Sequence, residues 1–112
     1  MPDNQVDYIE FPATDIAATK TFYEAVFAWK FEDFGPAYTS FQDGRMQGGF
    51  TTGEKGPAKW PLIVIYADDL EAALERVKTA KGNIVKPIYP FPGGRRFHFE
   101  DPNGNELAVW SK

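Results

Sequence analysis

The 112-residue chain has no cysteine, a single histidine (His98) and only two serines, Ser40 and Ser111. Without cysteine there is no disulfide framework, no thiolate metal site and no cysteine nucleophile, which excludes zinc fingers and iron–sulfur clusters. Neither serine stands in a nucleophile-elbow sequence, so serine hydrolase chemistry is not expected. Positive charge is scarce as well. Lys plus Arg number 12 against 16 Asp plus Glu, a formal charge of −4, so the electrostatic footprint of a phosphate-backbone binder is missing and no nucleic-acid partner is expected. No apolar run approaches the roughly 18 residues of a membrane span. Residues 1–8 are acidic and polar where a secretory signal is basic and then apolar. The expectation is a cytoplasmic protein with no membrane partner.

What the chain does have is the balance of one globular domain over residues 1–112, with 43% apolar and 25% charged residues. It is rich in rings: ten Phe, five Tyr and three Trp make up 16% of it. Either the core is Phe-rich or some rings line a cavity.

Residues 6–11 alternate apolar and polar up to Pro12, which predicts a strand with Ile9 and Phe11 on one face and Tyr8 and Glu10 on the other. From Asp15 the period becomes helical: Ile16, Thr19, Phe22, Tyr23, Val26 and Phe27 form one stripe, capped by Thr14 or Asp15, over about three turns. Phe22, Tyr23 and Phe27 are expected in the core. Strand-like runs follow at 29–31, 38–41 and 45–50, the last two separated by the hairpin dipeptide Asp43-Gly44. Residues 51–59 carry no apolar period and read as a connector.

The pattern then restarts. Residues 61–66 predict a strand apolar on both faces, Asp68 with Glu71 resembles a capping box, and Leu70, Ala73, Leu74 and Val77 form a second helical stripe ended by Gly82. A strand at 84–87, a loop over 89–94, a strand at 95–99, a turn at 101–104 and a last strand at 106–110 complete it. Gly93-Gly94-Arg95-Arg96 precedes no helix and lacks the Gly-Lys-Ser/Thr ending of a phosphate loop. A fixed offset of 54, laying Tyr8 on Leu62, also matches Ile9 with Ile63, Phe11 with Ile65, Asp15 with Asp69 and Ile16 with Leu70. One unit is used twice. The expected fold is α+β: two β-α-β-β-β modules, about 5–51 and 61–110, pairing into a cleft-forming curved mixed sheet with helices on its outer faces.

This doubled order, the segment Phe22-Tyr23-Glu24-Ala25-Val26-Phe27-Ala28-Trp29, and Asp101-Pro102-Asn103-Gly104-Asn105-Glu106-Leu107 before the last strand together resemble the vicinal oxygen chelate superfamily, which includes glyoxalase I, extradiol dioxygenases and bleomycin-resistance proteins. The likeness covers essentially the whole chain. It implies cavity-facing metal ligands, usually His, Glu or Gln, on the first and last strands of both modules. Those positions hold Tyr8, seven before Asp15; Leu62, seven before Asp69; Ala108, seven after Asp101; and a site around Gln47 to Gly49 where only Gln47 is a donor. A catalytic divalent ion needs about three convergent N or O ligands. No family-type metal and no other cofactor are therefore expected.

Candidate ligand contacts follow from strand parity. Tyr8 and Glu10 share the cavity-facing side; Glu10 either contacts ligand or forms an internal pair with Arg45 or Arg96. Arg45 and Gln47 either border the cleft or are solvated edge residues. His98 alternates with Phe97 and Phe99, and shares a face with Arg96 and Glu100; it is a candidate general base or simply a satisfied polar residue. Tyr66 and Trp110 add rings. The expectation is a metal-free homodimer that binds a small aromatic or cationic organic ligand, as likeness to bleomycin-resistance proteins implies. The alternative is a lyase, isomerase or dioxygenase of glyoxalase type with an altered metal site drawn from Glu10, Gln47 and His98. A third is a protein-interaction module without a cleft.

Overall fold

Each half of the chain folds as strand, helix and three strands. In the computed structural model, which describes residues 2–53 and 60–112, the elements are β1 (Gln5–Pro12), α1 (Ile16–Phe27), β2 (Lys30–Asp33), β3 (Tyr38–Gln42), β4 (Gln47–Thr51), β5 (Leu62–Tyr66), α2 (Leu70–Thr79), β6 (Asn83–Phe91), β7 (Gly94–Glu100) and β8 (Glu106–Ser111). The chain divides into two compact units, Tyr8–Gly56, and Met1–Asp7 with Pro57–Lys112. Most of the expected connector, 54–59, lies outside the described residues. Within each unit a parallel pair joins two antiparallel pairs, the mixed-sheet α+β class expected from the repeat.

In the first unit the strand order is β2-β3-β4-β1, with β1 parallel to β4 and Tyr8 opposite Gln47, Glu10 opposite Gly49. Helix α1 starts where Asp15, in extended backbone, turns its carboxylate onto the Ala18 amide at 3.0 Å. It ends on Ala28 in the left-handed region at φ 57°, whose N–H reaches the Glu24 carbonyl at 3.0 Å. The ring surplus is a core here. Tyr23 stacks on Trp29 at 4.7 Å, Trp29 on Phe41 at 4.5 Å and Phe11 on Phe50 at 5.2 Å, and Phe41 and Phe50 are buried. Phe22 and Phe27 do not join this core as helical spacing predicts: they remain 56% and 60% exposed. The stripe is wider than the contact. Tyr23 takes the central position on Trp29 and Phe50; Phe27, 6.1 Å from Trp29, and Phe22, 5.0 Å from Tyr23, touch this stack but keep most of their surface uncovered.

In the second unit the order is β5-β8-β7-β6, with β5 parallel to β8 and β8-β7 and β7-β6 antiparallel. The cap of α2 is Asp69, whose carboxylate accepts from the Ala72 amide at 3.0 Å. The expected box of Asp68 with Glu71 is thus displaced. Asp68 gives its own amide to the Asp3 carboxylate at 2.8 Å, and Glu71 pairs with Arg95. The repeat offset, which matched Asp15 with Asp69, marked both true caps. After α2 the Gly82 amide closes on the Val77 carbonyl at 2.8 Å. Leu70 and Ala73 of α2 bury against Phe97, Val109 and Ala67, with Ile65, Leu74, Val77, Ile84, Ile88 and Phe99 around them. Burying side chains of the size of Leu70 and Phe97 contributes roughly 1.5–3 kcal/mol each. Among the described residues no helix is long and apolar enough to cross a membrane.

Candidate functional site

Because Phe97, Phe99 and Val109 point to α2, strand alternation puts Arg96, His98, Ala108 and Trp110 on the opposite face of the second unit. Leu62, Val64 and Tyr66 share it by the same parity. His98 is wholly buried, at 0% exposure. Its Nδ1 lies 2.8 Å from Glu106 Oε2 and its Nε2 2.7 Å from the Tyr89 hydroxyl. Arg96 donates through Nε to the same Tyr89 oxygen, and its guanidinium lies 5.5 Å from the centre of the Tyr89 ring and 5.6 Å from that of Phe91. A line of four side chains, Glu106, His98, Tyr89 and Arg96, therefore crosses this face.

Burial pushes the His98 imidazole below its ordinary range; the Glu106 hydrogen bond opposes that, and Arg96 and Lys86 reinforce it. Neutral His98 next to a carboxylate must carry its proton on Nδ1, which donates to Glu106, leaving Nε2 to accept from the Tyr89 hydroxyl. Beside this line stand rings: Trp110 meets Tyr66 edge-to-face at 5.1 Å and Phe91 at 6.0 Å, and its indole N–H donates to Asp7 at 2.9 Å.

Tyr89 reaches the site through an irregularity in β6. Ile84 pairs with Phe99, Lys86 with His98 and Tyr89 with Arg96, so β6 takes one extra residue at each of two steps. These bulges turn Ile84 and Ile88 to the helix side and Lys86 and Tyr89 to the polar side. The expected loop over 89–94 shrinks accordingly, since β6 continues to Phe91.

The first unit carries a smaller constellation. Glu10, 7% exposed, accepts from the Tyr38 hydroxyl at 3.2 Å, and the Tyr8 hydroxyl bonds to that of Tyr38. Burial, then the charge of Glu10, raises the Tyr38 phenol far above the usual tyrosine range, so Tyr38 remains a donor to Glu10. Gly49 makes room for this cluster: a side chain there would meet the Tyr38 hydroxyl, and its Cβ would stand 2.6 Å from that of Tyr8.

Of the eight residues singled out from sequence, Tyr66, Arg96, His98 and Trp110 share one face, and Tyr8 and Glu10 share another. Gln47 opens β4 opposite Tyr8 and is exposed. Arg45 is exposed in the β3–β4 turn, its amide held by the Asp43 carboxylate at 2.8 Å. Tyr38, Tyr89 and Glu106 were not foreseen. Parity with Ala108 and Trp110 marks Glu106; for Tyr89 the bulges erase any such signal.

The metal positions implied by the family resemblance can be tested unit by unit. In the second they are Leu62 and Ala108, buried hydrocarbon. In the first they are Tyr8, whose phenol is engaged by Tyr38, and the stretch of exposed Gln47 and two glycines. Both His98 ring nitrogens are occupied by Glu106 and Tyr89. Among the described residues no three His, Asp or Glu side chains gather as an ion would require. This donor set does not fit a divalent centre, and no step is routed through one.

Two successive β-α-β-β-β units, each a mixed four-stranded sheet with one helix, define an α+β protein of the doubled-module type. The chain belongs to the Glyoxalase/Bleomycin resistance protein/Dioxygenase superfamily, whose family model matches residues 5–109. It is 30% identical to the anthracycline biosynthesis protein DnrV of Streptomyces peucetius over 94% of its own length and 46% of DnrV. It is 28% identical to a glyoxylase-like domain-containing protein of Didymella fabae, covering 96% of this chain and 94% of that one. The chain thus spans about half of DnrV but nearly all of the Didymella protein. Among solved structures, a superfamily member from Vibrio splendidus matches with a TM-score of 0.76 at 14% identity, over 97% of this chain and 99% of that one. The Mn(II)-bound glyoxalase of Novosphingobium aromaticivorans matches at 0.70 with 20% identity, over 97% and 39%. At these identities the structural matches speak for fold alone.

Proposed function

We propose that this chain is a metal-independent, small-molecule-binding member of its superfamily whose ligand is aromatic and rests on the half-buried Trp110 and Phe91 rings, with the buried Tyr66 ring behind them. The observation that carries this is the ring face itself: three aromatic side chains beside an arginine that already lies over Tyr89 and Phe91. Rings of this kind stack on planar guests, and a guanidinium adds a partner for an acidic or carbonyl oxygen. The sequence allowed a cationic ligand too, but Arg96 and Lys86 on this face oppose one. The name of DnrV, which ties that relative to anthracycline biosynthesis, agrees with an aromatic guest. The altered-metal-site enzyme is the weaker reading, because both ring nitrogens of His98 are already occupied. We place the protein in the cytoplasm as a homodimer, an arrangement in keeping with the greater length of DnrV.

Indole quenching and thermal shift with planar aromatic acids, set against their cyclohexyl counterparts, test this. A guest at a hundred times its Kd stabilises by about 2.7 kcal/mol. Aromatic acids are expected to bind, and both Trp110→Ala and Arg96→Ala to weaken them. Equal response to the cyclohexyl series, or full binding by Trp110→Ala, refutes the site. Calorimetry with Zn²⁺, Ni²⁺ or Mn²⁺ is expected to be blank; stoichiometric binding tighter than about micromolar, abolished by Glu10→Ala or His98→Ala, overturns metal independence. Light scattering on the eluting protein reads the dimer.

A further inference from the structure

On the side of the sheet where α2 packs, the packing is incomplete. Leu70 and Ala73 bury the start of the helix among Phe97, Val109 and Ala67. Further along, Ala73, Val77 and Ala80 face Ile65, Val109 and Phe99 across a cavity of about 360 Å³. Alanine at two of the helix positions leaves the gap unfilled, and Ile65, Val77 and Phe99 stay only half-buried. That volume lies within the range of small-molecule sites, and its walls are hydrocarbon. Two polar side chains, Arg76 and Asn4, stand exposed at its rim. Asn4 is in left-handed backbone at φ 60°, a conformation that asparagine tolerates, with its amide on the Tyr66 carbonyl at 2.8 Å. Its side-chain oxygen accepts from Arg76 Nη2 at 3.1 Å, so the guanidinium is held at the rim through one of its five donors. That acceptor is neutral and cancels no charge. The carboxylates that Arg76 could meet on its own helix are committed elsewhere, Glu71 to Arg95 and Glu75 to Lys78.

We infer that the α2 side of the second unit carries a separate binding site for a small aliphatic carboxylate, its tail in this cavity and its carboxylate on Arg76. The charge at the rim selects the head group: a lone guanidinium with donors to spare pairs with a carboxylate, in fork geometry, and repels an ammonium. The walls select the tail. Phe99 is the single ring among them, so the stacking that would favour a planar guest is missing, whereas a flexible chain conforms to alanine and branched side chains and gains with every methylene it buries. The site lies on the opposite face of the sheet from Trp110, and it stands whether or not the rings there bind an aromatic guest.

The experiment titrates octanoate, hexanoate and octyltrimethylammonium into protein labelled with ¹³C-methyl alanine and valine, and reads Kd from the methyl shifts. Octanoate is expected to move Ala73 and Val77 saturably while Ala108, buried on the ring side of β8, stays in place. Hexanoate, two methylenes shorter, is expected to bind about sixteenfold more weakly, at about fourfold per methylene. Octyltrimethylammonium is expected not to saturate. Arg76→Gln, a change at an exposed position that keeps a donor for Asn4 and removes the charge, is expected to weaken octanoate about two- to fivefold at low salt, a difference that shrinks as salt is raised. Movement of Ala108 in place of Ala73 puts the carboxylate on the ring face and overturns this site. Equal affinity for the two chain lengths, equal binding of the ammonium compound, an unchanged Kd in Arg76→Gln at low salt, or no saturation by about 10 mM octanoate overturns it as well.

Discussion

Replacing Glu106 by alanine removes the acceptor from an imidazole that has no contact with solvent. The carboxylate is itself buried and sits 2.8 Å from His98 Nδ1. A buried donor left without its acceptor costs about 1–3 kcal/mol. Two circumstances place this site near the middle of that range. The lost partner is charged, which raises the loss; Glu106 borders a cavity, through which water can reach the vacated acceptor position and lower it. We expect about 2 kcal/mol, a substantial part of the 5–15 kcal/mol typical of a whole domain, and a fall in Tm of roughly 8 °C, given about 4 °C per kcal/mol for a chain of this length. Glu106→Gln keeps a carbonyl to accept from Nδ1–H and should cost about 1 kcal/mol or less. Urea unfolding followed by far-UV circular dichroism measures both, and the change repeated in a His98→Phe background isolates the pair. There, with no donor to orphan, Glu106→Ala should lose most of its effect. A cost below about 0.5 kcal/mol, equal costs for Ala and Gln, or an undiminished effect in the His98→Phe background refutes the hydrogen-bonded pair as the source.

Stability should also follow His98 through pH. Burial lowers its folded value below the ordinary 6.5, so as pH falls the unfolded chain takes up the proton first; stability is complete above about pH 6.5 and declines below it by at most about 1.4 kcal/mol per pH unit. His98→Gln should flatten unfolding curves in that window, and an unchanged slope counts against a neutral buried imidazole. The drop tied to Asp101, held low by Asn105, and to Asp43, held low by the Met46 amide, belongs to pH values below the carboxylate range near 4. Ala28→Gly should stabilise, because Ala28 sits at φ 57°: relief of about 1–2 kcal/mol of left-handed strain outweighs about 0.5–1 kcal/mol of added unfolded-chain entropy. A loss of denaturation midpoint would show that the strain is not there. Gly48→Ala should destabilise by roughly 1–3 kcal/mol or more, since a Cβ would run into the Ile9 carbonyl and the Phe41 ring. A wild-type melting curve for that variant refutes the close packing of β1 on β4.

The uneven legibility of this chain has a physical pattern. Features that depend on near neighbours in sequence could be read from it. The repeat set Asp15 and Asp69 in register, and both cap their helices through the amide three residues on; the alternation of 96 to 99 gave the two faces of β7 correctly. Features decided by a partner strand or by the limited area of a contact could not. The α1 stripe has the right period, yet Tyr23 sits within the ring stack while Phe27 meets it from outside, 6.1 Å from Trp29, and Phe22 and Phe27 both stay exposed; periodicity states which side chains share a face and not how much of that face is covered. The capping-box rule favoured Asp68 with Glu71, but Arg95 draws Glu71 away.

Tyr89 shows why the candidate site was only half visible. Strict alternation from Ile84 places 84, 86 and 88 on one face. The bulges separate them instead, sending Ile84 and Ile88 to the core and Lys86 and Tyr89 to the side of His98. The number of residues β6 inserts is fixed by how it pairs with β7, a long-range property that no local period encodes. The consequence is chemical. Had β6 run in regular register from Ile84 opposite Phe99, Val85 would stand opposite His98 and Pro87 opposite Arg96, and the imidazole would keep Glu106 on one nitrogen and face hydrocarbon on the other. Deleting Pro87 should therefore remove the second bulge while leaving Lys86 opposite His98, Ile88 opposite Phe97 and Tyr89 opposite Arg96, so that the phenol stays on His98 Nε2 and the core residues Phe97 and Val109, on the far face of the sheet, retain their packing. A ¹⁵N spectrum of the deletion variant in which His98 loses its wild-type shifts would mean that register does not place Tyr89.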